Sequence, residues 1–242
     1  GVIGEKSYSQ LTPMEDGTFI GVNDYERRVK EYDLTMRMSA TGARVPIPLF
    51  VARISENDPR YGGFISKRRA DLGLIALAER SPFTWQDLMN IRADEPNKAR
   101  YLIEEAVRDL IEEGLIEQSE FEGIESMKDK NPVEYDRNLF GLYINKAGSL
   151  LGRNLSLIHS VRSVGNRNLQ NTSLVLEERD LADGHDLRTT RDLMKEPVRK
   201  FADVMAEMHN IENLITKLDP SASRDLFHSS ATNYLIEYLR AE

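Results

Sequence analysis

The sequence contains no cysteine, which excludes disulfide bridges, thiol catalysis and cysteine-ligated zinc. It also contains no run of about 18 apolar residues, so we expect no membrane-spanning helix. Its first residues lack the charged-then-apolar layout of a secretory signal. Together these absences favour a cytoplasmic protein that is held together by an apolar core.

Recognisable catalytic motifs are also missing. The sequence has no phosphate-binding glycine loop, no glycine-rich dinucleotide turn, no nucleophile elbow and no calcium loop. The segment 183–186 groups three potential metal ligands, although a solvated turn explains it equally well. The histidines are far apart and none has a partner at zinc-motif spacing; they are His159, His185, His209 and His228. We therefore predict no catalytic residue, no metal and no cofactor, and hence no enzyme.

What the chain does have is enough apolar sequence for a core in one or two domains, with 242 residues that are 40% hydrophobic and 30% charged. Its net charge of −8 is concentrated in one place, because residues 71–150 carry 9 basic against 17 acidic side chains. Nucleic-acid binders usually present a basic face to phosphates, so this acidity counts against the simplest nucleic-acid function.

Composition divides the chain into four predicted parts. Residues 1–66 form an irregular N-terminal arm, with one short helix over 23–37 and a strand over 47–54 that Pro46 and Pro48 restrict to an edge. Residues 67–164 form a compact periodic unit, 165–190 form a polar linker, and 191–242 form a C-terminal helical region. An arm of this kind often wraps a partner protein, although packing on its own domain is as probable a use.

The compact unit contains three predicted helices: 72–78, a short helix capped by Thr84, and 98–113, which Gly114 ends. A strand over 115–118, a polar stretch over 119–138 and a returning strand over 139–144 then predict a hairpin. Helix, helix, helix, hairpin and helix is the order of a winged helix-turn-helix. The predicted fold class is therefore mainly α with a small β hairpin.

Two segments carry a family resemblance. The first, Leu110 to Glu117 (LIEEGLIE), resembles the end of the recognition helix and the first wing strand of MarR- and PadR-type transcriptional regulators. The second, Phe140 to Leu151 (FGLYINKAGSLL), resembles their second wing strand and following turn. The resemblance covers about a third of the chain. It departs at Asn145, where a glutamate-type residue is usual, and in an acidic wing that is longer than usual.

The resemblance implies DNA binding through the start of the third helix, because that end of a recognition helix enters the major groove. Asparagine can pair with adenine, and arginine or lysine with guanine or phosphate. Basic residues before the unit and in the predicted wing can add phosphate contacts, although any single one of them can equally be a surface charge beside a carboxylate. The predicted DNA-binding residues are Asn97, Lys98, Arg100, Tyr101, Lys67, Arg68, Arg69, Lys128 and Lys130.

The C-terminal region predicts a long helix that Pro197 restricts to a start near residue 195, followed by a last helix that Ser221 or Ser223 caps. Apolar residues repeat every seven positions along the long helix, as in a coiled coil. This seam either dimerises the chain, which we favour, or packs on helices of the same chain. Its residues are Met194, Phe201, Val204, Met208, Ile211, Ile215 and Leu218.

Two functions follow from these patterns. The first is a non-enzymatic, dimeric transcriptional regulator that binds DNA. The second is an interaction subunit of a larger assembly, in which the acidic unit docks a protein and the N-terminal arm lies along a neighbour. Salt-sensitive DNA binding separates the two functions.

Overall fold

The computed structural model describes residues 23–55, 57, 71–161, 169–179, 190–219, 221 and 223–241. Within these ranges the chain is mainly helical and carries one small antiparallel sheet, which confirms the predicted fold class at this coarse level. In chain order the elements are β1 Asn23–Asp24, α1 Tyr25–Ala40, β2 Ile47–Arg53, β3 Leu72–Ala78, α2 Trp85–Asp94, α3 Pro96–Glu112, α4 Gln118–Glu125, α5 Pro132–His159, α6 Thr190–Leu218 and α7 Ser223–Ala241.

The described part of the N-terminal arm contains the predicted helix and the predicted edge strand. Asp24 caps α1, because its carboxylate accepts a hydrogen bond of 3.2 Å from the backbone N–H of Arg27. The strand order is β1-β3-β2, so β2 lies at an edge of the sheet, where Pro48 is tolerated. Residues 1–22 of the arm lie outside the described residues.

The predicted helix over 72–78 is wrong, because this segment is the central strand β3. It pairs antiparallel with β2 from Ile47 opposite Ala78 to Arg53 opposite Gly73. A seven-residue apolar run is too short for periodicity to separate a strand from a buried helix. Gly73 shows how tightly the strand packs, since a Cβ atom there would lie 2.9 Å from the Cα of Tyr25.

The next two helices agree with the sequence analysis. Thr84 and Asp87 form a capping box at the start of α2, in which each side chain accepts a hydrogen bond from the other residue's backbone. Only Glu95 separates α2 from α3, which begins at Pro96, two residues before its predicted start. Gly114 ends the helical segment with a φ of 71°. The buried stripe of α3 consists of Ala99, Ile103, Ala106, Val107 and Leu110.

The predicted wing is absent. Residues 115–117 form no strand, 118–125 form α4, and 139–144 lie within the 28-residue helix α5. Asn131 caps α5 by accepting from the backbone N–H of Glu134, and Pro132 stands at its first position. The segment is helical because its apolar residues recur with the period of a helix. Every fourth side chain is fully buried: Tyr135, Leu139, Tyr143, Ala147, Leu151 and Leu155.

Helix α5 forms the centre of the fold and packs closely against α7. Two glycines, Gly148 and Gly152, allow the backbones to approach. A Cβ atom at Gly148 would lie 2.4 Å from the carbonyl oxygen of Ser230, and one at Gly152 would lie 2.1 Å from that of Tyr234. Gly148, which the sequence analysis places in the turn after the wing, therefore serves helix–helix contact, as Gly152 does.

Residues 171–178, which we name the strap, are all buried. The hydroxyl of Tyr143 donates to the carbonyl oxygen of Leu174 at 2.8 Å while it accepts from the indole N–H of Trp85 at 2.8 Å. Glu177 is fully buried and accepts from the Arg80 guanidinium at 2.5 Å. The described part of the predicted linker is therefore part of the core, because its backbone and side chains find their partners there.

Helix α6 begins five residues before the predicted start and contains Pro197 in its interior. A proline removes one backbone hydrogen bond and costs about 3 kcal/mol in a helix. The apolar face that follows it packs on the main core and offsets that cost through Val204, Ile211, Leu214, Ile215 and Leu218.

Candidate interaction groove

The start of α3, where DNA contacts are predicted, is exposed but already partly paired. Asn97, Lys98 and Tyr101 lie at the surface. The Lys98 ammonium lies 3.1 Å from the carboxylate of Glu95 one turn earlier. Arg100 instead points toward α5, where its Nη1 lies 3.5 Å from Oδ1 of Asp136. These four residues lie together at the start of α3. Arg100, however, lines a cavity that is described below, so it does not belong to a free helix face.

The two lysines predicted to lie on a wing occupy the turn between α4 and α5. Lys128 binds the carboxylate of Glu104, with distances of 2.9 and 2.8 Å to its two oxygens. Lys130 is exposed. The basic triplet Lys67, Arg68 and Arg69 lies outside the described residues. The structure therefore does not gather the predicted phosphate contacts into one described surface.

Glu104 is the centre of a closed ionic cluster on α3. Besides Lys128, its carboxylate accepts hydrogen bonds from the Tyr135 hydroxyl at 2.8 Å and from Arg108 at 3.1 Å. Burial by itself raises the pKa of the Glu104 carboxyl, but the hydrogen bonds from its three donors outweigh burial and hold that pKa below the usual value. Burial and the hydrogen bond to Glu104 raise the pKa of Tyr135.

The C-terminal half of α3 is acidic. Burial, together with the carboxylates of Glu112, Glu105 and Glu113, raises the pKa of Asp109. Carboxylates in the last turns of a helix oppose its dipole, which favours cations there. A phosphate backbone laid along α3 would therefore meet like charge over the C-terminal half of the helix.

Most of the predicted dimer seam belongs to the core of the same chain, which is the second of the two uses that the sequence leaves open. Met208 packs partly buried against this core, whereas Phe201 is 65% exposed. The side chain of Met194 lies outside the described residues. The seam residues that are buried in the main core are Val204, Ile211, Ile215 and Leu218.

A cavity of about 440 Å³ lies between the start of α3, the start of α5 and the end of α6. Its floor is apolar because it consists of core side chains, namely Ala99, Ile103, Leu139, Phe140 and Leu218. Three arginines, Arg92, Arg100 and Arg137, stand around this floor together with the carboxylate of Asp136. We call this cavity and its continuation below the arginine groove.

The arginines of the groove differ in their pairing. Among the described residues, Arg92 and Arg137 form no ion pair and no side-chain hydrogen bond, while Arg100 has the long contact to Asp136. Val133, which also lines the groove, is 72% exposed. The groove thus combines cations that lack carboxylate partners with apolar surface that lacks a cover.

The groove continues past Arg137 and Ser221 into a second, more open cavity of about 850 Å³ along α5. Both residues line both cavities. The continuation lies between α4, α5 and the start of α7, and it carries one further arginine, Arg224, beside Asp225. An elongated ligand can therefore lie along α5 with its anionic groups near the arginines.

A chain of three buried polar side chains lies elsewhere in the molecule. The ring of His159 lies 2.9 Å from the Tyr238 hydroxyl and 3.0 Å from the Asp203 carboxylate, and only 1% of its side chain is exposed. This chain joins α5, α6 and α7. Within the described ranges no three histidine or acidic side chains lie close enough to hold a metal ion, and the segment 183–186 lies outside those ranges.

Sequence reasoning identified Arg100 but missed Arg92, Asp136 and Arg137, because the groove gathers residues from four separate segments. No helix among the described residues is long and apolar enough to cross a membrane. Comparisons of this chain with protein-family models, with curated proteins and with solved structures gave no match.

Proposed function

We propose that this chain is a non-enzymatic protein-interaction module, and that its arginine groove binds an acidic, amphipathic helical segment of a partner protein. The observation that carries the proposal is the groove itself. An apolar floor lies under three guanidinium groups, two of which have no carboxylate partner among the described residues. Arginine matches carboxylates in a bidentate geometry, so it is suited to this recognition.

The charge of the whole chain supports this partner. At a net charge of −8 the chain repels an acidic segment from most of its surface. The arginines of the groove attract the same segment to one place. Complementary charge of this kind sets orientation and rejects wrong partners.

The shape of the groove supports a helix as the bound form. Helices are recognised by apolar side chains spaced three and four residues apart that enter a hydrophobic groove. The two connected cavities run along α5 and are open to solvent, and the exposed side chain of Val133 at the rim adds apolar contact. An elongated amphipathic helix fills both cavities, whereas a compact ligand fills only the first.

DNA is the less favoured ligand. Lys98 and Lys128 are engaged by carboxylates of the same chain, and residues 115–151 contain no wing. The C-terminal half of α3 is acidic, as the raised pKa of Asp109 reflects. The acidity of residues 71–150 opposes a phosphate backbone that lies along α3, whereas the proposed peptide has to contact only the arginine groove.

Fluorescence anisotropy with three labelled probes tests the proposal. The probes are a panel of amphipathic helical peptides with leucine on one face and glutamate on the other, the same peptides with lysine in place of glutamate, and mixed-sequence duplex DNA. We expect the acidic peptides to bind and both other probes to fail at the same low salt concentration. Absence of acidic-peptide binding, or tighter binding of DNA, overturns the proposal.

A pair of double variants locates the binding. Replacing Arg92 and Arg137 by glutamine removes the two unpartnered guanidiniums, and we expect about a tenfold loss of affinity for the acidic peptides. The matched control replaces Lys30 and Arg153, which are exposed and lie outside the groove lining, by glutamine. An equal loss in both double variants means that charge in general, and not the groove, governs binding.

A further inference from the structure

The arginine groove contains an ion pair, between Arg100 and Asp136, whose geometry is unfavourable. Nη1 of Arg100 lies 3.5 Å from Oδ1 of Asp136, which is longer than a good charge-assisted hydrogen bond of about 2.8 Å. The two side chains are 34% and 46% exposed. Oδ1 of Asp136 nevertheless has no contact with solvent and no hydrogen-bond donor.

Two ion pairs that join distant segments beside α3 are closer than this one. Lys128 lies 2.8 Å from Glu104, and Arg44 lies 2.5 Å from Glu113. A carboxylate oxygen that is withdrawn from water without a donor costs free energy. The pair of Arg100 and Asp136 is therefore poorly suited to holding the fold together, and both of its side chains line the first cavity of the groove.

The position of Asp136 limits what the groove can bind. Asp136 stands on the first turns of α5 and faces Arg100 across the mouth of the groove, while Arg92 and Arg137 line the same cavity. An incoming carboxylate that engages Arg100 must replace the Asp136 carboxylate and tolerate its negative charge. The Arg100 guanidinium can then form the short, two-point contact that Asp136 does not give it.

We propose that Asp136 is an internal competitor for the arginine groove. Its carboxylate holds the place on Arg100 that an aspartate or glutamate carboxylate of the partner segment takes, so it weakens binding and rejects segments with few acidic residues. This inference rests on the proposed function, because it concerns the same groove and the same class of partner. It adds one specificity-determining residue and one defined point of attachment, which is a carboxylate on Arg100.

The test uses Asp136→Asn in the full chain, with the acidic peptide panel as the probe. Removal of the competing charge should tighten binding about fivefold, a coupling typical of a charge at the edge of a site. The matched control is Asp129→Asn, which makes the same change of charge at an exposed position outside the groove lining. It should leave the affinity within about twofold of wild type, because solvent screens distant charges.

A double-mutant cycle separates competition at Arg100 from general electrostatics. In an Arg100→Gln background, Asp136→Asn should tighten binding no more than Asp129→Asn does, because there is no guanidinium left to release. A gain from Asp136→Asn that is the same with and without Arg100 overturns the inference, as does no gain over the control. Urea unfolding of each variant identifies any that has lost its fold.

The two proposals fail in different ways. If wild type binds the acidic peptides but Asp136→Asn does not bind them more tightly, the competitor is disproved and the interaction module stands. If neither protein binds them, the proposed function itself is disproved.

Discussion

Helix α3 carries two groups of charge that differ in how they are satisfied. Around Glu104, three side chains from three segments donate to one buried carboxylate. In the first cavity of the arginine groove, near the start of the same helix, two of the three guanidiniums lack a partner among the described residues. The comparison indicates that the first group stabilises the fold and that the second is available to a ligand, because removing one member of a buried pair is costly and removing an exposed charge is not.

The largest expected effect on stability comes from removing Glu104, the centre of the closed ionic cluster. Glu104→Ala should lower the free energy of unfolding by about 3 kcal/mol, because it leaves the buried hydroxyl of Tyr135 without its acceptor and Lys128 without its carboxylate. Urea unfolding monitored by circular dichroism measures the loss. Glu105→Ala, one position along and exposed, is the control and should change the free energy by less than about 0.5 kcal/mol. Equal effects at both positions would contradict a structural role for Glu104.

Lowering the pH should reduce the stabilisation by the Glu104 cluster, but by less than Glu104→Ala does. The pKa of Glu104 is lower in the folded chain than in the unfolded chain. Its ionic contribution is therefore fully present above the unfolded pKa, and it is lost as the pH falls through the folded pKa. The difference in unfolding free energy between wild type and Glu104→Gln should then shrink as the pH is lowered from neutral. A difference that stays constant into the acid range would show that the charge of Glu104 is not what stabilises the cluster.

The smallest expected effect on stability comes from removing an arginine of the arginine groove. Arg137→Gln should change the free energy of unfolding by less than about 0.5 kcal/mol, because among the described residues this guanidinium pairs with nothing. The measurement is the same urea titration. A loss above about 1 kcal/mol would place Arg137 with the stabilising charges and weaken the contrast on which the proposed function depends.

Local signals were enough to predict several elements. Asp24 and Thr84 cap the helices that follow them, and Gly114 ends the segment after α3, because these residues satisfy backbone groups within one turn of themselves. The apolar face of α3 could also be predicted, because seven apolar residues recur at spacings of three and four: Ala99, Leu102, Ile103, Ala106, Val107, Leu110 and Ile111. The edge position of β2 agrees with Pro48 inside the strand and Pro46 directly before it.

Distant contacts decide the elements that were predicted wrongly. Residues 139–144 are apolar and resemble a strand, but they lie within α5, where four of them are buried in the main core: Leu139, Phe140, Tyr143 and Ile144. Gly148 looks like a turn residue, although it serves the approach of α7 from more than 80 residues away. The four-residue spacing from Tyr135 to Leu155 was the signal that could have identified the helix.

The arginine groove could be predicted only in part. Arg100 was selected because it lies at the start of a helix that resembles a recognition helix. Arg92, Asp136 with Arg137, and Leu218 come from three separate helices, and nothing in their local sequence indicates that they meet. The apolar repeat of α6 shows the same limit, since its periodicity reveals a buried face but not whether the covering surface is this chain or a second one.

The strap has a consequence for how the chain folds. Its contacts join residues that are far apart in sequence, from Arg80 to Glu177, a separation of 97 positions, and from Arg44 to Val175, a separation of 131. Contacts of this range require large loops to close before they return any free energy, and they slow folding. During synthesis the sheet and α1 are complete long before residues 171–178 emerge from the ribosome. The first half of the chain must therefore wait for its last buried partners, and a fragment that ends after α5 leaves the Tyr143 hydroxyl without the acceptor it has in the whole protein.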